Sequence, residues 1–524
     1  RAGKIFSTKS KKIPDTINPD GYPAFSHDLY SDYARTVMTN LVKNTFYKDQ
    51  KTLAGESVKL HKSMVQKDKE FHLKGLKFAR EVSNIKLQIL IGIAAQDSIK
   101  NYYYEDTLQY LLNSFPVHKV LEYIEINRNK VFNKGYGTKQ KQRIIKYLQN
   151  LSEHRFEYYT LKYKKQFRDL LILTHPSESQ LGSTKFEMTK YVMSEEPITE
   201  KQSAFKKLNH LTDPRKFGEI LIEYEIPWEI TTSLKLQNSE SWFARMTQMS
   251  SGSLLGNIAT LERHGVFEYD SAFDYLKERL KPKYLKASKI LPLQVIKAYL
   301  YSHDNKVREI LRNSFIDSFS VPLEYLEHKK VHISLDISAS MSKEPVLTEA
   351  TIAASFVPNC KDVEIIYFSE KLYREGEQVK KFWGDPITLP NITKQKTIKS
   401  MVKEIFRLPK CILGTTDTSV GVKDALENRE EYDFFIVLTD EQQNTGTMLY
   451  EVFKKYNQRI NPYVMLIVIN VTPYEWHNVP DDDPNIIVYQ TITPTLFQNL
   501  KFLTSSAEAI SEVQLEKIIA PVVR

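Results

Sequence analysis

Cysteine is almost missing from this 524-residue chain, which has only Cys360 and Cys411. That excludes a disulfide framework and a Cys-rich zinc module, and it suits two reduced thiols in a reducing compartment. Long apolar runs are missing too. The longest, Leu87–Ala95, falls far short of the roughly 20 residues that span a bilayer as a helix. The opening Arg1-Ala2-Gly3-Lys4 is basic but leads into no apolar stretch, so no secretory signal is expected, and the absent initiator Met points to a trimmed chain. The expectation is a soluble, cytoplasmic, monomeric protein with no membrane partner. There is no P-loop, no HExxH and no evident nucleophile–base pair, so the usual grounds for expecting an enzyme are gone. Low-complexity linkers are lacking as well. The net charge of +9 is modest for this length, so its distribution carries more information than its total.

That charge is concentrated. Between Arg128 and Arg168 lie twelve Lys and Arg residues against two acids, Glu153 and Glu157. The window includes Lys139, Lys141, Arg143, Lys162, Lys164, Lys165 and Arg168, interleaved with Phe132, Tyr136, Tyr147, Phe156, Tyr158, Tyr159, Tyr163 and Phe167. Such a run is ordinarily a solvated helical face, and many of the aromatics must be core residues. The density of bases and the scarcity of acids also suit a nucleic-acid surface. There, neutralised phosphates release counterions and aromatic planes stack on unpaired bases. His175, just beyond the window, is either a capping residue or a further contact.

The length suggests two or three domains, and the periodicity changes once. From about Leu29 to Leu326 apolar residues keep helical spacing, as in Leu108, Leu111, Leu112 and Phe115 before Pro116, or Leu254, Leu255, Ile258 and Leu261. Helices of modest length joined by short polar turns suit a helical-repeat array. After Tyr325 short apolar runs alternate with helical stretches: Val331–Ile337, Val363–Phe368, Phe434–Leu438, Val464–Ile469 and Ile486–Tyr489, with a helix expected over Pro345–Val357. This is the pattern of a mostly parallel, doubly wound sheet with helices on both faces. The expected domains are an all-α repeat of residues 14–326 and an α/β domain of residues 327–524.

Asp336-Ile337-Ser338-Ala339-Ser340 follows the first of these strand runs. A carboxylate and two hydroxyls at i, i+2 and i+4, where a strand gives way to a loop, can converge on one hard cation such as Mg²⁺. Asp and Ser at a strand end are also ordinary turn formers. Two further loops bring oxygen: Gly414-Thr415-Thr416-Asp417, and Thr439-Asp440 after the run Phe434–Leu438. Oxygen-rich loops after apolar strands are expected at the carboxyl edge of an open α/β sheet, where such sheets bind ligands.

Together these loops resemble the metal-ion-dependent adhesion site of von Willebrand factor A domains. The resemblance implies coordination of a divalent cation by Asp336, Ser338, Ser340, Thr416 and Asp440, with Asp417 either bound through water or orienting Thr416. Thr415 stands where the family's loop has a second Gly, a strained choice if that position needs a positive φ. The helical half resembles the TROVE domain, the HEAT-like helical-repeat ring of the Ro autoantigen family. The matching stretches are Asn18-Pro19-Asp20-Gly21-Tyr22-Pro23-Ala24-Phe25, Asn44-Thr45-Phe46-Tyr47, Phe78-Ala79-Arg80-Glu81, Asp169–Pro176, Ser241-Trp242 with Leu254–Ile258, and Ile290–Val295. This likeness implies binding of small structured noncoding RNAs (Y RNAs) on a basic surface and of misfolded RNAs by their single-stranded 3′ ends. Lys162, Lys164, Lys165, Arg168 and His175 are the contacts it suggests, beside Lys139, Lys141 and Arg143 of the same window. Two other readings remain. One is an adaptor whose A-domain cation captures an acidic side chain of a partner such as a nuclease or helicase. The other, with less support, is a metal-dependent hydrolase using Asp336, Asp417 and Asp440.

Overall fold

A computed structural model describes residues 13–18, 20–26, 29–39, 50–83, 85–99, 104–128, 137–194, 196–288, 290, 292–319, 326, 328–341, 343–357, 360–379, 386–395, 398–405, 414–471, 477–480, 483 and 485–490. The chain divides into two compact units. One comprises Arg1–Glu56, Glu81–Ile85 and Phe319–Arg524, and the other Ser57–Arg80 and Lys86–Ser318. Among the described residues no helix is long and apolar enough to cross a membrane.

The second unit is helical, and its helices pack mostly on helices close in sequence. Lys86–Ser98 packs against Val117–Arg128, which packs on Lys164–Thr174; Pro214–Glu223 packs on Ser239–Thr247, and Ser251–Arg263 on Pro292–Tyr301. This is how a repeat array buries its core. Starts and stops follow local chemistry. Asp68 and Ser152 cap helices by accepting the N–H of Phe71 and Arg155 at 2.9 and 3.2 Å, which satisfies donors the first turn leaves unpaired. Lys86–Ser98 is buried almost throughout. It lies so close to Lys69–Phe78 that a Cβ at Gly92 would meet Leu76 Cδ2 at 2.2 Å. Between these elements runs a one-way hydrogen-bond chain of fully buried groups. Gln96 donates to His72 Nδ1 (2.9 Å), His72 Nε2 to His61 Nδ1 (2.9 Å), His61 Nε2 to Gln88 Oε1 (3.0 Å), and Gln88 to Ser57 (3.0 Å). Every link is satisfied only when both imidazoles are neutral.

The first unit holds the α/β domain. The strands of its main sheet are β1 (Lys330–Asp336), β2 (Asp362–Phe368), β3 (Leu372–Arg374), β4 (Phe434–Thr439), β5 (Met465–Asn470) and β6 (Ile486–Gln490), in the order β6-β5-β4-β1-β2-β3. All neighbours are parallel except β2 and β3. The sequence runs located the five parallel strands to within a residue or so and the helix Lys343–Phe356; the three-residue antiparallel edge β3 carried too short a pattern to be seen. Unbroken burial along β1 and β4 is what a parallel sheet covered on both faces requires. Strand order reverses between β1 and β4, and the register Leu335–Leu438 sets Asp336 beside Thr439 at the carboxyl edge. That is the crevice where doubly wound sheets take ligands.

The expected boundary put residues 14–326 with the helical half. The compact unit of the α/β domain also takes in the amino-terminal segment. There Thr16–Ile17 pairs with Pro23–Ala24, and Phe25 bridges His477. The reason is long-range pairing that no local periodicity encodes.

Candidate metal centre and nucleic-acid interface

At the carboxyl edge of the sheet, Asp336 and Ser338 are fully buried. The Asp336 carboxylate accepts the Ser338 N–H at 2.8 Å through one oxygen and the Thr439 hydroxyl at 2.6 Å through the other. Its own N–H is held by Glu349 at 3.0 Å. Ser338 and Ser340 place their hydroxyls 3.2 Å apart. Asp440, also fully buried, accepts the Gln442 N–H at 3.1 Å through Oδ1. Its Oδ2 is buried with no hydrogen-bond partner among the described residues. Burial, and then the neighbouring Asp336 charge, push the Asp440 carboxyl well above the usual carboxylate range; the Ser340 hydroxyl lies near enough to ease this only in part. Burial pushes Asp336 up as well. None of the leading influences on either group is a basic side chain. Two buried carboxyls, one with an oxygen that has no hydrogen-bond partner among the described residues, form an arrangement that a hard cation would complete.

The third loop is organised by backbone pairing. Thr416 N–H donates to Asn444 Oδ1 at 2.8 Å, and Thr416 C=O accepts the Asn444 N–H at 3.0 Å. Asp417 Oδ1 accepts the N–H and hydroxyl of Ser419 at 2.9 and 2.7 Å and the Gln443 amide at 3.2 Å, so this carboxylate shapes the loop that carries Thr416. Neither Gly414 nor Thr415 has a positive φ, and Thr415 is exposed; the strain that its β-branch would bring at a left-handed position does not arise. The glycine this loop does need is Gly446, at φ +77°, where a Cβ would lie 1.9 Å from Asp417 Oδ2. Among the described residues no three His, Cys, Asp or Glu side chains gather as a metal cluster, so any cation here depends on the hydroxyls of Ser338, Ser340 and Thr416.

Sequence reasoning missed Glu349, Glu441 and Asn444, and named Thr439 without giving it a role. Glu349 had a visible signal: it is an isolated acid in the apolar stripe of helix Lys343–Phe356. Glu441 had none. It sits fully buried at φ +60° and accepts from His477 (2.6 Å), Asn470 (3.0 Å) and the Asn478 N–H (3.1 Å).

The structure splits the basic window. Arg143 is fully buried, with its guanidinium on Asp97 at 2.9 Å, Glu105 at 2.6 Å and the Tyr123 hydroxyl at 3.0 Å. It is a core ion-pair residue with no exposed surface to offer RNA, contrary to the expectation from the basic window. Its place beside Gln140, Ile144 and Tyr147 on the buried stripe of helix Thr138–Asn150 was the available signal. Lys162 is half-buried and paired with Glu229 at 2.5 Å, its ammonium 5.4 Å from the centres of the Tyr158 and Tyr163 rings, so much of its charge is answered within the fold. Phe156 and Phe167 pack edge to face at 4.8 Å, and with Tyr147 and Tyr159 they are core residues. Tyr158 and Tyr163 keep part of their surface. Lys164 lies over the Tyr191 ring at 4.5 Å. Lys139, Lys165, Arg168 and His175 are exposed and Lys141 is partly so. Along helix Lys164–Thr174, positions 165, 168 and 172 share one solvent face, with Ile172 exposed and His175 continuing it at the left-handed cap (φ 44°). The N–H of His175 closes on Leu171 at 2.8 Å, and Pro176 bars further helix. Lys130, Lys134, Phe132, Tyr136, Cys411 and the Asn44–Tyr47 stretch lie outside the described residues, as does the side chain of Arg128.

Residues 330–490 match the family described as the Ro60 vWA domain. No curated protein matches the chain. Among solved structures the chain is similar to the crystal structure of the Deinococcus radiodurans RO (RSR) protein. The TM-score is 0.64 at 17% identity, and the match covers 90% of this chain and 98% of that one. At that identity the likeness is one of fold.

Proposed function

From a chain with a Ro60-type vWA domain and the overall fold of a Ro protein, we propose an RNA-binding ribonucleoprotein scaffold in noncoding-RNA stability or quality control. Its RNAs are small structured Y-like RNAs and misfolded RNAs with single-stranded 3′ ends, and its work is cytoplasmic binding without bond chemistry. The observation that carries the reading is the exposed stripe of Lys165, Arg168 and His175 along helix Lys164–Thr174, with Lys139 and Lys146 also exposed on helix Thr138–Asn150. Cationic groups on one face meet successive phosphates, while partly open Tyr158 and Tyr163 offer stacking planes. Internal pairing of Arg143 and Lys162 narrows the interface to these residues. Gel-shift titration with a stem-loop RNA bearing a single-stranded 3′ tail tests it. The double substitution K165E/R168E is expected to weaken binding at least about tenfold and to flatten the salt dependence by about one unit of slope per lost phosphate contact. Unchanged affinity would remove this face from the proposal.

The α/β domain's part in the proposal is a divalent-cation site. Asp336 and Asp440 would supply charge, and Ser338, Ser340 and Thr416 hydroxyls. When bound, the cation supplies a Lewis-acidic position open to an oxygen of a partner. The orphaned Asp440 Oδ2 favours this. A reading of the whole protein as chiefly an adaptor gains nothing from the kinship with Ro.

A further inference from the structure

Segment 13–26 belongs to the same compact unit as the α/β domain, and its contacts converge on one place. Its turn is tightly made. Asn18 Oδ1 accepts the N–H of Asp20 and Tyr22 at 3.1 and 2.9 Å, Gly21 takes φ +78°, and Asp15 accepts the Ser26 N–H at 2.7 Å to close the base. From this hairpin Asn18, only 3% exposed, donates its amide to the Gln443 carbonyl at 2.7 Å. The Tyr22 hydroxyl donates to the Gly446 carbonyl. Asp20 accepts the Asn444 amide at 3.3 Å. Phe25 exchanges backbone bonds with His477, whose ring meets Glu441 at 2.6 Å directly after Asp440.

Each anchor on the far side is a residue that shapes the candidate cation loop. Gln443 donates to Asp417, Gly446 lies against the Asp417 carboxylate, and Asn444 pairs twice with the Thr416 backbone. We propose that the amino-terminal hairpin is a positioning element of the candidate cation site: through Asn18, Asp20 and Tyr22 it fixes loop 440–446, and through that loop the Thr416 hydroxyl. The proposal rests on the cation reading above. Asn18, Asp20 and Tyr22 bond to Gln443, Asn444 and Gly446 and act through them. Coupling of this kind is reciprocal: whatever fixes the loop tightens the cation, and the cation holds the hairpin.

Titration of the full chain with MnCl2 by calorimetry tests it, using wild type, Asn18→Ala, Tyr22→Phe and the ligand variant Asp336→Ala. Wild type is expected to bind and Asp336→Ala not to bind. Asn18→Ala should bind roughly tenfold more weakly and Tyr22→Phe severalfold, within the usual range of coupling, with melting temperatures in EDTA close to wild type. Hydrogen exchange at the Phe25 and His477 amides should slow on adding Mn²⁺ in wild type. Equal Mn²⁺ affinity in wild type and both hairpin variants overturns the inference and leaves the cation site standing. No Mn²⁺ binding by wild type overturns both. Tyr22→Phe, which removes one hydroxyl, keeps the test decisive if Asn18→Ala fails to fold.

Discussion

Two buried charge clusters, one in each unit, differ in what completes them. Arg143 in the helical unit is surrounded by Asp97, Glu105 and Tyr123. Asp336 and Asp440 in the α/β unit have hydroxyls and backbone N–H groups around them but no basic side chain among their leading influences, and among the described residues Asp440 Oδ2 has no hydrogen-bond partner. A buried charge answered by its own fold is structural. One left unanswered costs stability unless something from outside supplies the opposite sign. The same criterion separates Lys162, paired with Glu229, from the exposed Lys165 and Arg168.

The largest effect should come from breaking the answered cluster. Arg143→Met strands the buried Asp97 carboxylate and should cost on the order of 3–5 kcal/mol, seen as a lower denaturant midpoint for the helical unit. Should the midpoint hold, the Arg143 ion pair does not support the helical core. The unanswered cluster should behave oppositely. Asp440→Asn removes the repelling charge and is expected to raise the melting temperature slightly in EDTA, while it abolishes the stabilisation that Mg²⁺ gives wild type. That stabilisation is about 2.7 kcal/mol at a hundredfold excess over Kd. A variant that still gains stability from Mg²⁺ would place the cation elsewhere.

The pH response sharpens the contrast further. His61 and His72 are buried neutral, and burial lowers His61 from the ordinary histidine value to about 4 and His72 well below it, His72 also through His61 itself. A group whose folded pKa is depressed contributes stability above its unfolded pKa and loses it as pH falls toward the folded one. The helical unit should therefore weaken progressively between about pH 6.5 and pH 4, with His61→Gln flattening that slope in pH-dependent denaturation. An unchanged slope would assign the acid sensitivity of this unit to other groups, such as His72, which burial and His61 hold well below its ordinary value.

Much of the fold was legible in the sequence. Apolar runs of strand length marked β1, β2, β4, β5 and β6 because a strand buried on both faces is mostly apolar, with His332 and Ser334 as buried polar residues of β1. Helical stripes marked the array because each helix buries one face against a neighbour. Oxygen donors at strand ends marked Asp336, Ser338, Ser340 and Asp440 because a parallel sheet gathers its carboxyl ends at one edge. Thr415 misled in the other direction: the residue type suggested strain, but the backbone there is not left-handed.

What the sequence alone determined is periodicity and the inventory of charges and hydroxyls, since both are local properties of side chains. Tertiary structure alone decided which charges are neutralised and which loops are braced. Arg143 meets Asp97 46 positions away, and Asn18 meets Gln443 425 positions away. No window of sequence contains such pairs, and burial raises the energetic weight of a charge only once the partners, or their absence, have been brought together by folding.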